Sequence, residues 1–121
     1  MSGDNPTGSW ENRRKHKRKY MLFKIPAYDA KTRRFLGLVQ DITEGGVQLF
    51  GVQVDAGSTV TIIIQASDYI KSSTPLHFDA ICRWTTRENP HGYFISGFEI
   101  VTISEEAKKS LARLMEFVAL G

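Results

Sequence analysis

A chain of 121 residues holds one domain around a single hydrophobic core. Its 41% apolar and 24% charged residues exclude an intrinsically disordered protein, and no apolar run reaches the roughly 20 residues of a membrane span. The lone cysteine, Cys82, excludes an intramolecular disulfide framework and a multi-thiolate metal site, while the net charge of +3 hides an uneven distribution.

The amino end from Met1 to Pro6 shows neither a charged n-region nor an apolar h-region, which points to a cytoplasmic address. Residues 1–12 are polar, with Gly, Pro and Ser. Arg13, Arg14, Lys15, His16, Lys17, Arg18 and Lys19 then hold six of the sixteen basic residues and no acid, leaving ten basic and thirteen acidic residues elsewhere. Outside the arm the chain is thus mildly acidic, and a flexible leader (1–19) ending in the basic arm precedes the body (20–121). Such an arm attracts polyanions, whether nucleic acid, nucleotide phosphates or an anionic membrane surface; the plain alternative is a solvated tail.

After the arm the periodicity becomes strand-like. Tyr20 to Asp29 carries Met21, Phe23, Ile25 and Ala27 at period two. Arg34 to Asp41 places Phe35 and Val39 on one side and Leu36 and Leu38 on the other. Val47 to Phe50 is short, and Ser58 to Ala66 alternates Val60, Ile62 and Ile64. Leu76, Phe78, Ala80, Cys82 and Trp84 alternate with polar residues, so Trp84 reads most simply as core. Tyr93 to Ile103 is the last strand, with Gly97 marking a bend. Asp29 with Lys31, and Asn89-Pro90-His91-Gly92, supply turn chemistry. Connections this short hold no crossover helix, so the expectation is an all-β, six-stranded antiparallel barrel or sandwich. Ser104 then caps a C-terminal α-helix, with Glu105 and Glu106 in its first turn and Leu111, Leu114, Met115 and Val118 on one apolar stripe.

Catalytic patterns are missing. His16, His77 and His91 have no metal-ligand spacing, no serine lies in a GxSxG elbow, and Cys82 falls on an apolar face. Gly45-Gly46 and Gly57 do not form a GxxxxGK phosphate loop. The sequence therefore reads as a non-enzyme with no metal and no cofactor.

Two features stand out together: Arg14 and Arg18, preceded by Arg13, and Asp41-Ile42-Thr43-Glu44-Gly45-Gly46 at the end of the second strand. In order and spacing they resemble the RxxxR and [D/N]x[S/T]xxG patterns of the PilZ domain, a bacterial receptor module for the second messenger cyclic di-GMP. Thr43 stands where many relatives have Ser. The resemblance implies a six-stranded antiparallel β-barrel with a C-terminal helix packed on it. It implies cyclic di-GMP as ligand, with Arg13, Arg14, Arg18, Asp41, Thr43, Gly46 and Trp84 as binding residues and an unidentified protein partner downstream. An Arg before RxxxR, here Arg13, goes in relatives with an intercalated pair of ligand molecules. The rival reading is a basic-armed β-barrel that binds RNA or single-stranded DNA. Against it, Phe23, Phe78 and Phe98 fall in apolar alternation rather than on an exposed stacking face.

Overall fold

The computed structural model describes residues 24–67, 76–87 and 92–120. Expectations for the basic arm, Met21, Phe23 and the Asn89-Pro90-His91 turn lie outside the described residues.

The strands are β1 (Pro26–Asp29), β2 (Phe35–Thr43), β3 (Gly46–Gly51), β4 (Thr59–Ile64), β5 (Leu76–Arg87) and β6 (Phe94–Thr102), followed by helix α1 (Glu105–Leu120). Every pairing is antiparallel, and the order β1-β2-β3-β6-β5-β4 closes into a barrel where β4 meets β1. Alternation fills the interior as period-two patterning requires. Ile62 and Ile64 of β4, Leu76, Phe78, Ala80 and Cys82 of β5, and Val47 and Leu49 of β3 are all buried. Asp29 makes the β1–β2 turn by accepting the Lys31 and Thr32 N–H groups on Oδ1 at 2.8 and 3.2 Å, with Arg33 at a φ of 67°.

Three sequence expectations change. β3 and β4 are consecutive in the chain but not neighbours in the barrel. The segment between them crosses over instead, with Val54 buried in the core. In β2, Leu36 joins Val39 inside while Phe35 is 40% exposed, because the β1–β2 register shifts between Ala27 and Tyr28 and the extra β2 residue is Leu36. Trp84 is not core: it is 41% exposed. The cause is a second shift, since Cys82 pairs with Phe98 but Trp84 pairs with Gly97, leaving Arg83 inserted between them.

Helix α1 begins as its cap residue dictates. The Ser104 hydroxyl accepts the Ala107 N–H at 3.0 Å, and Glu105 and Glu106 occupy the first turn, where the helix dipole favours negative charge. Ala107, Ser110, Leu111 and Leu114 form its buried face, and the helix lies on β5. Met115 and Val118 pack at the margin of that face.

Because Leu114 is wholly buried where helix meets barrel, Leu114→Ala is expected to lower unfolding free energy by about 2–5 kcal/mol in urea denaturation. A loss below about 1 kcal/mol would show that the helix contributes little to the core.

Candidate functional site

The site begins with a break in strand alternation. In β2, Val39 pairs with Leu49 but Asp41 pairs with Gln48, so Gln40 is an inserted residue. Strict alternation from the inward-facing Val39 would turn Asp41 into the core. The insertion turns Asp41 outward and Ile42 inward, where Ile42 is buried. In β5 the inserted Arg83 does the same for Trp84.

The two insertions leave two rows running across β2, β3, β6 and β5. Ile42, Val47, Phe98 and Cys82 are successive register partners, and all four are buried. Asp41, Gln48, Gly97 and Trp84 form the adjacent row on the outer face. Over that row lies an open groove of about 290 Å³, which Thr43, Gly45, Gly46, Arg83 and Glu99 also line.

The β2–β3 turn is held by its own polar groups. Thr43 Oγ1 accepts the Gly45 N–H at 3.2 Å and donates to the Gly46 carbonyl at 3.4 Å. The Gly45 carbonyl accepts the Ile100 N–H at 2.9 Å, tying the turn to β6. Asp41 Oδ1 accepts the Ile42 N–H at 2.9 Å, which orients the carboxylate. Gly46 is required by close approach, because a Cβ there would run into the Phe98 carbonyl oxygen.

Trp84 rests on a gap left by Gly97. A Cβ on Gly97 would overlap Nε1, Cε2 and Cζ2 of the indole. Gly97 is thus the seat of an exposed aromatic ring, not a bend, and β6 runs through it without interruption. Next to the ring, the Arg83 guanidinium donates from Nε to Glu99 Oε1 at 2.7 Å. Below it, burial pushes the Cys82 thiol above its ordinary value, as expected of a cysteine that packs rather than reacts.

Of the residues singled out in the sequence, Asp41, Thr43, Gly46 and Trp84 come together in this groove. Arg13, Arg14 and Arg18 lie outside the described residues. The sequence reading missed Gln48, Arg83 and Glu99, and it assigned Gly97 the wrong role. Gln48 carried a weak signal, as a polar residue between Val47 and Leu49, while Arg83 and Glu99 become a pair only once the β5–β6 register is known.

The seat of the ring can be tested in a Trp10→Phe background, where Trp84 is the sole tryptophan. Gly97→Ala is expected to displace the indole, shifting its emission to the red and raising its quenching by acrylamide. An unchanged spectrum would contradict the seat described here.

No curated protein gives a significant match to this chain. Among solved structures, the Bacillus subtilis inhibitor of motility (MotI/DgrA) is similar in fold, with a TM-score of 0.59 and 14% identity over 77% of this chain and 44% of that one. The chain therefore spans less than half of that protein's length. A family model of the PilZ domain matches residues 12–117, a stretch that takes in the basic arm, the β2–β3 turn, all six strands and most of α1. With the whole barrel and both motif halves inside that match, the chain belongs to the PilZ domain family.

Proposed function

We propose that the protein is a receptor for cyclic di-GMP, which seats on the outer groove of the barrel and is gripped by the RxxxR arm. One observation carries this reading: Asp41, Gly46 and Trp84 share a groove, and the described chain at Lys24 lies alongside β2 next to it. The Val39 N–H donates to the Ile25 carbonyl at 2.8 Å, so Lys24 runs antiparallel toward Gln40 and Asp41. The basic arm ends at Lys19, separated from Lys24 by residues 20–23.

The chemistry suits a ligand with two phosphates and two guanines. Asp41 accepts hydrogen bonds from the N1 and N2 groups of a guanine, and its bond to the Ile42 N–H holds it in register. Trp84, exposed on its glycine seat, offers a flat face on which a base stacks. Thr43 shapes the turn, since its hydroxyl is engaged by Gly45 and Gly46. Arg14 and Arg18 supply planar forks that pair bidentately with guanine O6 and N7 or with phosphate oxygens, geometry that lysine lacks. Arg13 would extend the grip to an intercalated pair of ligand molecules. Binding brings the arm onto the groove and so changes the surface offered to a downstream protein.

The test is a calorimetric titration with cyclic di-GMP that reports affinity and stoichiometry. Arg14→Ala and Arg18→Ala are each expected to cost about 1–3 kcal/mol of binding, roughly five- to a hundred-fold, with no rescue by Lys. Asp41→Ala is expected to weaken binding while the melting temperature holds, because the residue faces the groove rather than the core. Full affinity in an Arg14→Lys, Arg18→Lys double variant would overturn the arginine assignment.

Salt separates this reading from the nucleic-acid one. A site gripping two phosphates loses affinity gently with salt, whereas a polynucleotide binder using all six arm cations shows a log–log slope of roughly −4 to −5. The burial of Phe78 and Phe98 removes two of the stacking platforms the rival needs. Tight, steeply salt-dependent binding of an oligonucleotide together with no response to cyclic di-GMP would establish the rival.

A further inference from the structure

Arg83 has no role in the binding scheme above, and its surroundings define one. It is the inserted residue of β5 and lines the groove beside Trp84. Its Nε donates to Glu99 Oε1 at 2.7 Å, and one terminal nitrogen lies 2.6 Å from the same oxygen as an ion pair. The two side chains are 56% and 52% exposed, so the pair adds little to stability. What the pairing does is fix orientation. Glu99 engages the Nε side of the guanidinium, and among the described residues nothing accepts from the far end of the fork, where two N–H groups point in parallel.

Charge gives the second argument. The ionised side chains among the described residues that line the groove are Asp41, Glu99 and Arg83. Among the described residues Arg83 is the one cation lining it, and without it those residues would present two carboxylates to a ligand that carries two phosphate charges. A fork held by a carboxylate at one end and free at the other is preorganised for bidentate contact with an anion, since it gives up little side-chain freedom on binding.

We propose that Arg83, anchored on Glu99, is a further ligand-binding residue of the groove, donating from the free end of its fork to the phosphodiester oxygens of the bound dinucleotide. This inference rests on the cyclic di-GMP reading. Lysine in its place would keep the charge and lose the parallel donors.

The experiment titrates cyclic di-GMP into the full chain, its Arg83→Ala variant and its Arg83→Lys variant, with phosphorus-31 spectra of the bound ligand and a thermal melt of each protein. Arg83→Ala is expected to weaken binding roughly ten- to a hundred-fold. Melting should stay within roughly 5 °C of the unsubstituted protein. Arg83→Lys should recover only part of the affinity, and the bound phosphorus resonance should differ between the unsubstituted protein and Arg83→Ala. Affinity within twofold in Arg83→Ala would overturn the proposal. So would weakened binding with an unchanged phosphorus resonance, which would mean that Arg83 acts only by supporting Trp84. If the unsubstituted protein fails to bind, the receptor reading itself falls and this inference with it, a result told apart because the defect precedes any substitution.

Discussion

In an antiparallel barrel the parity of a residue along its strand decides whether its side chain meets the core or the solvent. The groove exists because that parity is broken twice, by Gln40 in β2 and Arg83 in β5. Without the first insertion Asp41 would be an unpaired carboxylate facing the interior, at a cost of several kcal/mol, on the order of the penalty for a buried ion. Without the second, Trp84 would press into the space that Phe78 and Cys82 already fill. Both insertions sit beside the same outer row, so one device applied to two strands brings a carboxylate and an aromatic ring to one face.

The floor of the groove is set by close backbone approach. Gly46 lets β3 come up against the Phe98 carbonyl, and Gly97 leaves the space in which the indole lies. These positions join the groove to the core: Phe98 is buried beside Val47 and Cys82, so the outer row rests on a packed inner row with little room to move. Side chains held this way need little reordering when a ligand arrives, which favours affinity. The exposed Arg83–Glu99 pair fits the same pattern, fixing direction while adding little to stability.

Much of this was legible in the sequence wherever the signal is local. The alternation of Leu76, Phe78, Ala80 and Cys82 marked β5, the β-branched run from Thr59 marked β4, and Ser104 with two glutamates marked the start of α1. Asp41, Thr43 and Gly46 were found because their spacing along the chain is itself the signal. What failed was non-local. Nothing in the order of residues around Trp84 announces an inserted residue, so alternation carried on one step too far and placed the ring in the core. Leu36 went to the wrong face for the same reason. The crossing between β3 and β4 depends on which strands pair at a distance, and Arg83 with Glu99 is a contact between β5 and β6 that register alone creates.

The pairing of β3 with β6 has a consequence for how the molecule is made. Gly46 and its turn are made before β4 and β5, and both of those strands precede β6, with which Gly46 pairs. Contacts so distant in sequence raise contact order and slow folding, because the loop between them must be closed before it is rewarded. A chain still emerging from the ribosome carries Asp41, Thr43 and Gly46 without Gly97, Trp84's seat, and so has no groove to occupy. Any ligand that binds the groove therefore needs the folded barrel and draws on its stability, raising it by mass action in return.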